Sequence, residues 1–284
     1  MVNSTNGGIY RTTNLNAGTS STWTKLTVPP RTQGHAYNIY VLNDGTLVAS
    51  YSARIASSNF QPSSGVFVST DDGVSWADRS ASGMQYYTKD VVIDSHDSAQ
   101  NTWYAGVWGE WGASANLGGL YYTTNRGTTW SRITSGLKAV GSCTISPANP
   151  DEMYVTTEDQ GLWYSSNRRS GSPTFAQVAG YPFYFPSRVF FNPYDTNEVW
   201  VTSYGNGMRL GRISEPRPQL TKLQRTGSLS TVTVSAALGQ KVVISTSSNP
   251  LSWTPVATNL TYTNQFSVTD TSAASPRFFR AAVQ

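Results

Sequence analysis

Cysteine occurs once in this 284-residue chain, at Cys143, so no internal disulfide can staple it. Cys143 sits inside the alternating stretch Ser142-Cys-Thr-Ile145, where a thiol reads as a small buried apolar residue rather than a nucleophile, and the redox compartment stays open. Histidine is nearly as scarce, with His35 and His96 alone. With no cysteine pair and no glycine-rich phosphate loop, neither a metal site nor a nucleotide or other cofactor is expected. A Ser-His-Asp hydrolase built on His35 would want a nucleophile elbow, which is missing too. No apolar run approaches the ~18 residues of a membrane-spanning helix, and the N-terminus lacks the basic-then-apolar pattern of a signal peptide. Charged residues make up only 13% of the chain and no long helical period appears, which suits an all-β extracellular protein better than a helical cytosolic one.

The net charge of +4 suggests an acidic partner until it is divided along the chain. Residues 1–217 carry fifteen basic and fifteen acidic side chains, whereas residues 218–284 carry Lys222, Arg225, Lys241, Arg277 and Arg280 against Asp270 alone. The larger part is neutral, so nucleic acid is not an expected partner.

What the chain does have is a repeat. Gly65 to Trp76 reads Gly-Val-Phe-Val-Ser-Thr-Asp-Asp-Gly-Val-Ser-Trp, and Gly119 to Trp130 reads Gly-Leu-Tyr-Tyr-Thr-Thr-Asn-Arg-Gly-Thr-Thr-Trp. The shared octet, Ser/Thr-x-Asp/Asn-x-Gly-x-Ser/Thr-Trp, is a hairpin corner. Asp71 or Asn125 bonds back to the backbone, Gly73 or Gly127 supplies positive φ, and Trp76 or Trp130 buries a ring between adjacent sheets. Weaker copies run from Gly8 to Trp23, with a widened turn, and from Gly161 to Phe175; Gly207–Ile213 keeps only the strand. The opening glycines recur about every fifty residues, the mark of a radial array of four-stranded blades. A partial or irregular β-propeller of about four to five blades is therefore expected over residues 1–214.

The octet resembles the Asp-box, or BNR, repeat of sialidases, of glycoside hydrolase family 74 endoglucanases and of sortilin-type receptor propellers, over roughly residues 5–213. The motif is shared by hydrolases, lyases and binding proteins, so it speaks to fold before function.

Strand by strand, the sequence predicts an outer pair at about 8–13 and 22–26, and whole blades at 39–78, 91–133 and 144–178. A three-stranded remainder follows at 189–213, before Glu215-Pro-Arg-Pro218 breaks the pattern. Such a ring is open or irregular, the chain reads as a fragment of a larger propeller, and unpaired edges predict a homodimer. Residues 219–284 change to serine, threonine and valine and predict a small Ig-like β-sandwich of about six short strands. This stretch resembles the C-terminal β-modules of secreted bacterial enzymes.

Blade geometry puts the octet turns on one face and the remaining loops on the other, where propeller sites sit by the same resemblance. Asp97, Asp151 and Asp195 recur after inner strands and are turn formers, as is Asp44. The acids left over the loop face are Asp90, Glu110, Glu158 and Asp159. Glu110, in Trp108-Gly-Glu-Trp111, reads either as a general acid desolvated by two tryptophans or as a solvated loop glutamate. Asp90 reads either as a base on the central axis or as the partner of Lys89 or of a neighbouring blade. The same loops are rich in rings, among them Tyr86, Tyr87, Trp108, Trp111, Tyr184 and Tyr204, which suit a sugar.

The resemblance thus implies a secreted or cell-surface bacterial protein acting on a polysaccharide or oligosaccharide through a carboxylate acid/base pair. The alternatives are a non-catalytic carbohydrate-binding or scaffolding propeller and a polysaccharide lyase. Sialidase chemistry fits poorly, since only Arg31, Arg54 and Arg188 lie on suitable loops. In the family 74 enzymes, moreover, the two carboxylates come from two facing propellers, and this chain holds one at most.

Overall fold

The computed structural model describes residues 7–33, 35–133, 136–213, 218–236, 240–249, 251–272 and 277–283. It divides into two compact units, Met1–Arg212 and Ile213–Gln284. Residues 214–217, on which most of the proline-rich break falls, lie outside the described residues.

In the first unit three four-stranded antiparallel sheets follow one another, each built as a meander from an inner to an outer strand. They comprise Ala36–Val41, Leu47–Tyr51, Gly65–Ser69 and Ala77–Asp78; then Thr88–Ile93, Trp103–Val107, Gly119–Thr123 and Ser131–Ile133; then Val140–Ile145, Met153–Thr157, Gly161–Ser165 and Ala176–Gln177. A two-stranded ribbon, Tyr10–Arg11 with Thr24–Lys25, precedes them, and a three-stranded sheet, Pro186–Asn192, Asp195–Ser203 and Gly207–Arg212, follows. These are the blades of an irregular β-propeller, with the ribbon and the last sheet remaining separate sheets.

Side chains alternate across each strand, and here both faces are buried, so the middle strands read as continuous apolar runs. In Trp103–Val107 the odd positions Trp103, Ala105 and Val107 join Val48, Val66, Met84 and Val91 in the core against the second blade. Tyr104 points the other way and joins Leu120, Val140, Cys143, Met153 and Val155 against the fourth. Cys143 is buried there, and burial pushes its thiol up, away from nucleophilic use.

The octet turns work as clamps. Asp71 Oδ1 accepts from the Ser69 hydroxyl at 2.8 Å and the Ser75 amide at 2.9 Å, while Gly73 N–H donates to Ser69 Oγ at 2.8 Å. Asn125 repeats the scheme with Thr123 at 2.8 Å and the Thr129 amide at 2.9 Å. The widened copies keep it as well, Asn14 accepting from the Thr22 amide and Asn167 from the Thr174 amide, each at 2.9 Å. Positive φ falls on two residues per tight turn, Asp72 at 60° with Gly73 at 85°, and Arg126 at 53° with Gly127 at 76°. Trp76 is 8% exposed between the first and second blades. Trp130 packs on Trp103 at 6.5 Å and donates its indole N–H to Arg79 O at 2.6 Å. Trp23, by contrast, is 57% exposed, because among the described residues its ribbon has a packed sheet on one side alone.

The four inner strands all begin earlier than the sequence predicts, at Ala36, Thr88, Val140 and Pro186, the middle two over buried polar residues. Their polar residues suggested loop but are buried and satisfied: Thr88 Oγ1 donates to Met84 O at 2.7 Å, and the Ser142 hydroxyl finds Asp90. The loop after Tyr51 also holds an unforeseen hairpin, Ile55–Ala56 with Asn59–Phe60. Ser57 and Ser58 turn it at φ of 49° and 60° without the glycine or asparagine that would have signalled the turn.

Among its described residues the second unit has six strands, Gln219–Thr226, Leu229–Ser235, Lys241–Asn249, Ser252–Leu260, Gln265–Asp270 and Phe278–Val283. The first, second and fifth form one sheet, and the fourth, third and sixth the other. Val232, Val234, Val242 and Ile244 from the two sheets meet in one core with Phe266, Val268 and Phe279, which makes it a small β-sandwich. Its fourth strand pairs with the third and not with the fifth, unlike the constant-type immunoglobulin arrangement.

Candidate functional site

Each blade ties the end of its second strand to the residue just before its inner strand by one backbone bond. Ser52 donates to His35 O, Trp108 to Tyr87 O and Glu158 to Ala139 O, at 2.9, 2.9 and 2.8 Å, and Tyr204 to Phe185 O at 3.1 Å. These are equivalent positions on one face, so the repeat sets Tyr87, Trp108, Glu158 and Tyr204 around a common mouth. This is the face away from the octet turns.

Asp90 lies at the hub below that mouth and is 1% exposed. Its carboxylate is held from the three other inner strands described: Asn38 Nδ2 donates at 2.8 Å, the Ser142 hydroxyl at 2.8 Å, and Arg188 Nη2 lies 3.4 Å away. The Val91 amide adds a fourth bond at 2.9 Å. Burial pushes this carboxyl above the usual carboxylate range, against the opposing pull of Arg188, Ser142, Asn38 and Val91. Burial, then the Asp90 charge, also lifts Tyr40 to about 12. A cavity of about 360 Å³ opens here, lined by Tyr40, Asp90, Ser142, Thr144, Arg188 and Phe190. Asp90 therefore does point to the axis, but its ion-pair partner is Arg188. Lys89, one residue away on the opposite face of the strand, pairs with Glu158 at 2.6 Å.

That second pair organises the rim. Lys89 Nζ lies 5.1 Å from the centre of the Tyr87 ring, and burial, reinforced by Glu158, Tyr204 and Tyr37, raises the Tyr87 phenol to about 12. Asp159 is exposed with φ of 75°; partial burial and then the Glu158 charge raise its carboxyl, with Lys138 opposing. Arg188 stacks over Tyr37 at 5.7 Å, bringing the fifth and second inner strands together.

The unforeseen hairpin carries Phe60 into the loop 108–118. Phe60 stacks on Trp111 at 4.5 Å, meets Tyr87 at 4.7 Å and meets Trp108 edge-on at 5.6 Å. Tyr86 packs against this group. Trp108 is 7% exposed and serves as its core, whereas Trp111 leaves 45% of its surface to solvent. Glu110 is exposed. Of the two readings of Glu110 this is the solvated loop glutamate, because one flanking ring turns inward and the other lies flat on Phe60. Glu110 and Asp90 thus occupy opposite environments, one in water and one in the core. Tyr184 and Tyr204 are 73% and 63% exposed. Among the described residues, no group of His, Cys, Asp and Glu is placed to hold a metal ion.

No family model matches the chain, and no curated protein matches it. Solved structures do. A GH74 enzyme of Niastella koreensis superposes with a TM-score of 0.53 at 14% identity, covering 97% of this chain and 42% of that one. PorZ, a bacterial surface component of the type-IX secretion system of Porphyromonas gingivalis, gives 0.45 at 10% identity over 91% of this chain and 46% of its own. YCF48 of Cyanidioschyzon merolae gives 0.43 at 15% identity over 75% and 70%. The chain spans less than half the length of the GH74 enzyme, and at this identity the likeness is one of fold. What these residues establish together with the superposition is a β-propeller architecture whose inner strands converge on a buried, ion-paired aspartate.

Proposed function

We propose that the mouth of this propeller binds an oligosaccharide or polysaccharide, and that the protein is a carbohydrate-binding propeller working outside the cell or at its surface. The observation that carries this reading is the Trp111–Phe60 stack, which leaves the indole half exposed to solvent, with Tyr204 and Tyr184 exposed as well. A sugar ring presents C–H groups on its faces and hydroxyls on its rim, and a half-exposed indole with a neighbouring phenol complements both. Glu110, Glu158 and Asp159 supply acceptors for those hydroxyls. Binding is favoured over hydrolysis because Asp90, the acid nearest the axis, already has four donors and is closed to solvent.

A second reading, glycoside hydrolysis, rests on Asp159. A general acid needs a raised carboxyl, and Asp159 has one beside Glu158. A panel of neutral and acidic polysaccharides separates the two readings. Retention in affinity electrophoresis without release of reducing ends supports the binder; release of reducing ends without new ultraviolet absorbance sinks it in favour of the hydrolase; release of reducing ends together with new ultraviolet absorbance identifies a lyase.

A further inference from the structure

The other face of the propeller, at the octet turns, holds a second cavity. It lies between the third and fourth blades and measures about 830 Å³, within the range of roughly 300–1,000 Å³ typical of small-molecule sites. Arg168 lines it, from the turn of the fourth octet copy, and this side chain is only 1% exposed.

The guanidinium is half used. Nη1 donates to Asp94 Oδ2 at 2.8 Å and to the Tyr104 hydroxyl at 2.8 Å, and Tyr104 also lies under the guanidinium carbon at 5.4 Å. Nε and Nη2 are buried and have no hydrogen-bond partner among the described residues. These two nitrogens share one edge of the guanidinium plane and carry parallel N–H bonds, the spacing that matches the two oxygens of a carboxylate. A buried charged donor without an acceptor has lost its hydration without replacement, so an unfilled edge of this kind calls for an anion.

The acids around the cavity do not fill it. Asp94 is committed to Nη1 and accepts the His96 amide at 3.0 Å. Asp97 accepts the amides of Ala99, Asn101 and Thr102 at 3.0, 2.9 and 2.8 Å. Arg169 lies on Asp151 at 2.8 Å, and Arg132 donates to Asn116 O at 2.7 Å. The remaining walls combine hydroxyls, on Thr124, Ser131, Ser172 and Thr174, with the apolar surfaces of Tyr122 and Pro173. Hydroxyls with flat apolar surfaces suit a polyhydroxylated ring better than a bare inorganic ion.

We propose that this cavity is a binding site for a sugar-sized ligand bearing a carboxylate, a uronic acid in chemical class, with the carboxylate received side-on by Nε and Nη2 of Arg168. It is separate from the mouth on the opposite face and does not rest on the function proposed there.

The test is a titration of the full-length protein with glucuronate and galacturonate, with glucose, acetate and inorganic sulfate as comparison arms. The readout is the Arg168 Nε–H resonance, assigned by its loss in Arg168→Lys. Saturable movement with a uronate, none with glucose, and binding by acetate and sulfate about tenfold weaker or worse is the expected result. Arg168→Lys keeps the charge beside Asp94 but has no fork, and should weaken uronate binding about tenfold. If that variant does not fold, Ser131→Trp decides the matter, since it fills the cavity from an exposed position and leaves the buried pair intact; it should abolish binding. No saturable movement with either uronate, unchanged binding in Ser131→Trp, or sulfate or acetate binding as tightly as the uronates would each overturn the proposal.

Discussion

Arg188 on the fifth blade's inner strand places Nη2 3.4 Å from Oδ2 of Asp90 on the third's, so an ion pair spans the hub between blades that are not sequence neighbours. Its two ends differ: the Asp90 side chain is 1% exposed and that of Arg188 42%. Removing the buried end should therefore hurt more than removing the exposed one. We expect Asp90→Ala to cost about 2–3 kcal/mol, below the usual range for a broken buried pair because Arg188 can rehydrate. Asp90→Asn, which retains an acceptor, should cost less. Urea unfolding checks both, and a cost near zero for the alanine variant would mean that the hub is not a structural tie.

The carboxylates should give stability two opposite pH dependences. Bonds from the Ser75 hydroxyl and amide and from Ser69 pull Asp71 from 3.8 to about 2, so its clamp contributes fully above 3.8 and is lost as pH falls through about 2. Asp90 is raised, so its contribution is greatest when it is protonated and declines as pH rises from 3.8 through its own higher value. Asp71→Asn should remove the acid-side slope while keeping the clamp, as Asn125 does in the next blade. Melting temperature against pH for wild type, Asp71→Asn and Asp90→Asn would expose a wrong sign at once.

Octet tryptophans should matter in proportion to their burial and not to their match to the motif. Trp76→Ala empties a site that is 8% exposed and should cost about 3–5 kcal/mol. Trp23→Ala, at 57% exposure, should fall within about 0.5–1 kcal/mol of wild type. Equal costs in chemical denaturation would contradict the one-sided packing of the first ribbon.

At the mouth, Trp111→Ala should weaken polysaccharide retention about tenfold or more without lowering the melting temperature, since its outer face is free. Trp108→Ala should lower the melting temperature, since that ring is the core of the cluster. Glu110→Gln should leave both nearly unchanged. Retention that survives Trp111→Ala would shift the site away from this stack.

Self-association should run through the last strand of the fifth blade. Gly207–Arg212 is exposed at every position, with Met208 52% and Leu210 42% accessible, and it forms the outer edge of its three-stranded sheet. Such an edge invites a second copy. Light scattering should give a dimeric mass for the intact chain and a monomeric one for Leu210→Lys. A monomer in both would remove the edge as an interface.

The sequence by itself determined the blades. Strand, turn and ring recur in register through the Gly65 and Gly119 copies, and local chemistry suffices: Asp71 and Asn125 clamp their own turns, glycines take positive φ, and alternation sets both faces. It also set Asp90, Tyr87, Trp108, Glu158 and Tyr204 on the loop face, because the repeat fixes which end of each strand they occupy, and left Asp90 open between an axial base and an ion-paired residue. What tertiary structure alone decided is who meets whom. Arg188 and not Lys89 takes Asp90, because neighbouring residues in a strand point apart and a hub partner must come from another blade. Glu110 stays in water because Trp108 turns inward, edge-on to Phe60, and Trp111 stacks on the same ring, which a hairpin without a turn signal delivers. The unfilled edge of Arg168 depends on Tyr104 and Asp94 arriving from the preceding blade, a juxtaposition created by packing between sheets and carried by no local pattern.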